Sequence, residues 1–175
     1  MPIKISFELS DNDLKHFRKM MDEVIAKVSE YSREEILKKA RALTEKSGDA
    51  ALPEFVRERM KSLETLIDAL EDIEWQLPEE ECSNILASLA YFSEPHDLVP
   101  DEIPGLGYVD DAIMIELVIQ DLSQDLNAYK QFCSFRKTEE NRRGAQANVN
   151  RESWLESKRT ELRSEMRRRR QLFSR

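Results

Sequence analysis

The sequence predicts an all-α fold in which amphipathic helices pack into a single bundle. Only four Gly and six Pro occur in 175 residues, so few positions can interrupt a helix. Apolar residues also recur at a spacing of three or four through most of the chain, as they do on the buried face of an amphipathic helix. A chain of this length is enough for one domain to bury about two-thirds of the surface that it exposes when unfolded.

The first ten residues are an exception to the helical pattern. Ile3, Ile5, Phe7 and Leu9 alternate with polar residues, and a period of two is typical of a half-buried strand. The sequence offers no obvious second strand, and an unpaired strand leaves a row of free amide groups. We expect this short N-terminal strand either to lie extended across the helices or to form a homo-oligomer by pairing with its copy in a second subunit.

Helix start signals divide residues 10–77 into three predicted helices. Ser10 precedes Asp13, and Ser32 precedes Glu35, at the spacing of side chains that cap a helix N-terminus. Pro53 suits the first turn of the third helix, which is expected to close near residues 75–77. The apolar face of that helix is predicted to consist of Val56, Met60, Leu63, Leu66, Ile67, Leu70 and Ile73.

Half of the Gly and Pro residues fall within residues 95–107. A proline fixes its own φ, lacks an amide donor and pushes the preceding residue out of the helical region, so no helix can cross this stretch. Several apolar side chains between the prolines favour a packed loop over a flexible linker. Pro78 begins the helix before the loop, predicted over 79–93, and Asp110 or Asp111 caps the helix after it, predicted over 112–136. We expect these two helices to form a central helical hairpin on which the bundle is built.

Residues 91–111 also carry a family pattern. They read Tyr-Phe-Ser-Glu-Pro-His-Asp-Leu-Val-Pro-Asp-Glu-Ile-Pro-Gly-Leu-Gly-Tyr-Val-Asp-Asp, which resembles the motif of the DUF1232 (YkvA-type) domain family nearly continuously over 85–122. The resemblance names a family without implying an established activity. We interpret its motif residues as parts of a structural loop: Tyr91, Pro95, Asp97, Leu98, Pro100, Asp101, Pro104, Gly107, Asp110 and Asp111.

The same stretch contains the carboxylates best placed to support chemistry. Residues 94–111 hold one His and six Asp or Glu, and carboxylate oxygens are suitable ligands for Mg²⁺, Mn²⁺ or Ca²⁺. Their spacing matches no metal motif, and carboxylates next to prolines also cap helices and close turns. We therefore predict no catalytic residue, metal or cofactor. The alternative is a metal-dependent hydrolase that uses Asp97, Asp101, Asp110 and Asp111.

Charge is distributed unevenly along the chain. Residues 136–175 hold 13 Lys and Arg against 6 Glu, a net charge of +7, which leaves 14 basic and 29 acidic residues and a net charge of −15 in residues 1–135. Such a basic segment can bind nucleic acid, an acidic protein surface, including the protein's own acidic body, or anionic lipid. The residues predicted to contact an anionic partner are Arg163, Arg167, Arg168, Arg169 and Arg170.

Together these patterns predict a DUF1232-type helical domain over 1–136, a linker over 137–149 and a basic C-terminal helix over 150–175. No apolar run approaches the roughly 20 residues needed to cross a bilayer, and the two Cys lack C-x-x-C spacing, so we expect a cytoplasmic protein with reduced thiols. The predicted function is a non-catalytic interaction or regulatory module whose basic tail contacts nucleic acid or an acidic protein surface. Peripheral membrane association is a further alternative, and a protein partner is expected.

Overall fold

In the computed structural model, which describes residues 2–27, 30–93 and 106–173, most of the described residues lie in α-helices. The predicted all-α class is confirmed for these residues. The helices are α1 (Asp11–Lys27), α2 (Arg33–Thr44), α3 (Glu54–Glu71), α4 (Glu79–Ala90), α5 (Val109–Asp121), α6 (Ser123–Arg143) and α7 (Arg151–Phe173), and 3₁₀ turns cover Glu45–Gly48, Tyr91–Ser93 and Gly144–Gln146.

The predicted capping residues begin the first helices. The Ser10 amide donates to the Asp13 carboxylate over 2.8 Å, and the Asp13 amide donates back to the Ser10 hydroxyl over 3.3 Å. Ser32 and Glu35 make the same reciprocal pair at the start of α2. Because side chains satisfy amides that have no partner inside the helix, the start of each helix is fixed locally.

Helix α3 lies at the centre of the first core. It packs along α5 and α2, while α4 packs mainly on α2 and α1 contacts both α4 and α5. The apolar residues buried on α3 are Val56, Met60, Leu63, Leu66, Ile67, Ala69 and Leu70. We call the cluster shared by α1–α5 the N-terminal core.

The sequence predicted that the helices before and after the Pro/Gly-rich loop pack together as a central helical hairpin, and this prediction is wrong. The helices that flank the Pro/Gly-rich loop, α4 and α5, each pack mainly on another helix rather than on each other. Apolar residues on more than one face of α3 allow it to contact α2 and α5 at once. The helix after the loop also ends sooner than predicted, because the backbone at Leu122 (φ −105°, ψ 18°) separates α5 from α6.

A second cluster joins α6 and α7 to the turn that follows α3. Trp75, in this turn, and Phe132 are buried almost completely and their rings lie 4.9 Å apart. We call this cluster the C-terminal core, and its buried members are Ala69, Trp75, Ala128, Tyr129, Phe132, Trp154, Leu155, Leu162 and Met166. Helix α6 continues to Arg143, so residues 137–143 of the predicted linker are helical, and Gly144 at φ +54° follows the helix.

One further prediction differs from the structure, and another is not confirmed by it. Residues 2–10 have no regular secondary structure in the single chain, so the predicted N-terminal strand is not confirmed, and its pairing with a second copy stays a prediction. Ile73, predicted on the apolar face of α3, lies beyond the end of that helix and is 86% exposed. None of the helices in the described part of the chain is long and apolar enough to cross a membrane.

Candidate functional site

The described residues of the DUF1232 motif lie at the two edges of the Pro/Gly-rich loop. Tyr91 is buried in the turn after α4, and Gly107 is buried in the turn before α5. Asp110, in the first turn of α5, is only 3% exposed, whereas Asp111 is half-buried. The remaining predicted loop residues lie outside the described part of the chain: Pro95, Asp97, Leu98, Pro100, Asp101 and Pro104.

Each edge of the loop has a distinctive structural feature: the backbone conformation of Tyr108 before α5, and a contact from α2 to the turn after α4. Tyr108, immediately before α5, has a left-handed backbone with φ of 64°, a conformation that costs free energy for a residue other than Gly. Lys39 of α2 donates from Nζ to the carbonyl of Ser93 over 2.8 Å and lies 4.5 Å from the ring centre of Tyr31. This arrangement fixes the end of α4 against α2, which is a structural task.

The described carboxylates do not converge. Within residues 2–27, 30–93 and 106–173, no group of three or more His, Cys, Asp or Glu side chains is placed to hold a metal ion. Of the four carboxylates in the hydrolase alternative, Asp110 and Asp111 are described and Asp97 and Asp101 are not. The described geometry therefore adds no support to metal chemistry at this edge of the bundle.

The arginines of α7 contact the turn that connects α3 to α4. Arg159 is 2% exposed and donates to the Glu74 carbonyl over 2.7 Å, and it also pairs with the Glu152 carboxylate. Arg163 donates to the Trp75 carbonyl over 2.7 Å and to the carbonyl of Gln76. These carbonyls belong to a non-helical turn, and buried carbonyls without a donor are unfavourable. The two arginines therefore supply hydrogen bonds that the turn itself lacks.

A group of ion pairs extends this contact. Arg136 of α6 binds both oxygens of Asp72 over 3.0 and 2.8 Å, and Tyr129 donates to the same carboxylate over 3.0 Å. Arg151 donates to the two oxygens of Glu74 over 2.5 and 2.9 Å. Bidentate pairs of this kind are among the stronger protein hydrogen bonds. They connect the start of α7 and the middle of α6 to one short turn.

The charges of this group shift each other's ionisation. Burial opposes ionisation of Asp72, but the hydrogen bonds and charge of Arg136 outweigh it and lower the pKa of the Asp72 carboxyl. Hydrogen bonds from Arg151 lower the pKa of Glu74, with Arg136 contributing. Burial and the nearby charge of Arg159 lower the pKa of the Arg163 guanidinium. Both carboxylates are therefore stabilised as anions in the folded protein.

The arginines predicted to bind an anionic partner fall into two sets. Arg163 makes the carbonyl contacts described above, and Arg170 pairs with the buried carboxylate of Asp125 over 2.7 Å. Arg167, Arg168 and Arg169 are exposed, and none of the hydrogen bonds or ion pairs found among the described residues involves them. The predicted cluster thus contains two docking residues and three cations that have no ion-pair partner in the described part of the chain.

An open groove runs between α6 and α7 beside one of these cations. It is shallow and open to solvent, with an enclosed volume of only about 10 Å³, and both amide and apolar side chains line it. The residues that line it include Gln124, Asn127, Gln131, Leu162, Met166 and Arg169. The groove provides hydrogen-bonding groups next to Arg169, and the Glu165 carboxylate also lines it.

Sequence reasoning did not anticipate the docking role of Arg159. It lies four residues after Leu155 and three before Leu162, at the spacing of the buried face of α7. A charged residue at an apolar position of a helix predicts a buried hydrogen-bonded contact, and the position of Arg159 on this face can be read from the sequence. The carbonyls that receive the contact belong to an irregular turn and left no signal in the sequence.

Comparison with known proteins identifies one segment of the chain. A family model described as "Protein of unknown function (DUF1232)" matches residues 84–117, which include the second half of α4, most of α5 and the segment between them. No curated protein and no solved structure matches the chain. The resemblance seen in residues 85–122 is thus confirmed as a match of residues 84–117 to this family model.

Proposed function

We propose that the protein is a non-catalytic interaction module that binds an anionic partner through Arg167, Arg168 and Arg169 of α7. The main support for the proposal is that the arginines of α7 fall into two sets, one in contact with the protein and one exposed. Arg151, Arg159, Arg163 and Arg170 each contact a carbonyl or carboxylate of the protein, while the three arginines between positions 166 and 170 have no such contact among the described residues. Their guanidinium groups are therefore available to a partner.

The docking of α7 prepares these three side chains for binding. Met166 is buried against the C-terminal core and Arg170 is paired with Asp125, so the backbone between them is held on both sides. A partner that contacts Arg167–Arg169 does not have to order this helix, which lowers the entropic cost of association. Only the side chains need to be fixed on binding.

Helix geometry indicates the shape of the partner. Successive residues of an α-helix are rotated by about 100°, so Arg167, Arg168 and Arg169 point in three directions around the helix axis. A flat surface could reach one or two of them, whereas a flexible chain can pass around the helix and contact all three. The net charge of −15 on residues 1–135 opposes a longer polyanion contact elsewhere. We infer a flexible anionic chain, single-stranded nucleic acid or an acidic protein segment.

The test is titration of the full chain with a labelled single-stranded oligonucleotide and with a labelled oligo-glutamate peptide at several salt concentrations. Three neutralised phosphates give a slope of about −2 for log affinity against log salt on a single strand. Replacing Arg167, Arg168 and Arg169 with Gln is expected to lower the affinity for the preferred probe at least about tenfold at low salt. Anionic vesicles, included as a third probe, test the membrane alternative.

A matched control changes the charge of the body by the same amount. Lys38, Lys46 and Lys61 are exposed, and their side-chain amines have no hydrogen bond among the described residues. Converting all three to Gln should leave the affinity within about threefold of the parent. Absence of binding to both probes at low salt, or equal losses in the two triple variants, would contradict the proposal.

A further inference from the structure

We propose that residues 3–9 form an antiparallel two-stranded ribbon with the same segment of a second copy of the chain, centred on Ser6. This segment lies at the opposite end of the sequence from Arg167–Arg169, and its pairing does not depend on anion binding. Three large apolar side chains in it are exposed to solvent. Ile3, Ile5 and Phe7 are 86%, 76% and 66% exposed.

The main chain of this segment is also available for pairing. Residues 2–10 are neither helical nor part of a turn, and no hydrogen bond among the described residues involves the main chain of residues 2–9. An extended segment with unpaired amides and carbonyls is a template for another strand. Ile and Phe favour strands, and the alternation places all apolar residues on one face.

The charged residues on the other face select one register. In an antiparallel pair, residues directly opposite each other point to the same face. With Ser6 opposite Ser6 of the second copy, the opposite-charge pair and the apolar pairs all form. The cross-strand pairs in this register are Lys4 with Glu8, Ile5 with Phe7, and Ile3 with Leu9, each formed twice.

Other registers lack this complementarity. Centring the ribbon on Ile5 or Phe7 places Lys4 opposite a serine, and centring it on Lys4 or Glu8 places like charges opposite each other. A shift by one residue turns the two apolar sets to opposite faces. The Ser6-centred register is therefore the one that brings Lys4 and Glu8 together while keeping one apolar face.

The symmetry of this register explains why the assembly is expected to contain two copies of the chain. The same segment contributes the same residues from each side, so a two-fold axis through Ser6 closes the assembly as a dimer. Leu9 is half-buried and is followed at once by the Ser10 cap of α1, which ties the ribbon to the helical body. A two-stranded ribbon is only marginally stable on its own, so we expect a weak dimer that dissociates on dilution.

Charge reversal provides the main experiment. Sedimentation equilibrium of the full chain should show a concentration-dependent dimer, and K4E and E8K should each weaken it by about three- to thirtyfold, since each creates two like-charge pairs. An equimolar mixture of K4E and E8K should recover the parental affinity, because each chain then meets opposite charges. A merely structural effect of either substitution would not be repaired by mixing.

A crosslink tests the register itself. Ser6→Cys places two thiols opposite each other at the two-fold axis, within the distance that a disulfide spans, so oxidation should give a covalent dimer. Ser83→Cys, an exposed position on α4, is the control for random crosslinking, and the parent with Cys82 and Cys133 sets the background. A chain that stays monomeric at all concentrations, or a dimer unaffected by K4E, E8K and their mixture, overturns the proposal.

Discussion

The two cores of the molecule achieve burial by different means. The N-terminal core is built mainly from aliphatic side chains of α1–α5 around α3, with Tyr91 as its buried aromatic member. The C-terminal core contains both tryptophans of the chain and is surrounded by guanidinium groups that pack on its rings. Arg163 lies 5.4 Å from the centre of the Trp75 ring, and Arg143 and Arg151 lie 5.1 and 5.3 Å from that of Trp154.

This difference shows how a strongly basic segment can be part of a fold. Arginines bury their aliphatic stems and planar heads against aromatic rings while their donors satisfy carbonyls. In α7 this contribution is concentrated at Arg151, Arg159 and Arg163, and it leaves three neighbouring arginines exposed. Stability and partner binding are therefore expected to depend on separate residues of one helix.

The largest effect is expected from removing an aromatic ring of the C-terminal core. Phe132→Ala should lower the free energy of unfolding by about 3–5 kcal/mol, since it leaves a cavity beside Trp75. Urea unfolding monitored by tryptophan fluorescence is the measurement, because Trp75 and Trp154 both report on this core. Leu63→Ala, in the N-terminal core, should cost about 2–5 kcal/mol without changing the tryptophan emission of the folded state. Equal emission changes in the two variants would show that the cores are not separate environments.

A smaller effect is expected from removing one docking arginine. Arg159→Met retains an apolar stem but leaves the Glu74 carbonyl without its donor, so stability should fall by about 1–3 kcal/mol. The exposed Arg168→Met is the matched control and should change stability by less than about 0.5 kcal/mol. The measurement is the melting temperature of both variants in thermal unfolding. Similar melting temperatures would show that Arg159 does not hold α7 in place.

Acid should loosen the C-terminal core gradually. The pKa values of Asp72 and Glu74 lie below their ordinary values of 3.8 and 4.5, so their stabilising effect is present above those values and is lost as the pH falls through the lowered ones. We expect tryptophan emission to change below about pH 4. In Asp72→Asn with Glu74→Gln this contribution is already absent at neutral pH, so the acid-induced change should be shallower. An unchanged acid transition in the double variant would assign it to other carboxylates.

Local sequence signals predicted the helices better than they predicted the packing. Caps such as Ser32 with Glu35 are visible in a few consecutive residues, and these helix starts are confirmed. The packing of α3 against α2 and α5 depends on contacts between distant segments, so the loop motif drew attention to α4 and α5 instead. Leu122 illustrates the same limit, because no Gly or Pro marks the break between α5 and α6.

The candidate site shows a similar division. The basic composition of the C-terminal segment is a property of the sequence, but which arginines are occupied depends on the carbonyls of residues 74–76 and on the carboxylate of Asp125, which only the fold brings near α7. Arg163 and Arg170 therefore could not be separated from Arg167, Arg168 and Arg169 by composition. The DUF1232 motif could be recognised from its residues, since its prolines and carboxylates lie within one short stretch.

The most direct test of the account measures melting temperature and anion affinity on two triple variants of α7. In one, Arg167, Arg168 and Arg169 are replaced by Gln; in the other, Arg151, Arg159 and Arg163 are replaced by Gln, an equal change in charge. The first should keep the parental melting temperature and lose affinity for the oligonucleotide or peptide probe that the parent binds. The second should melt well below the parent. If both variants lose stability and affinity together, the division of arginines into docking and partner-binding residues is contradicted.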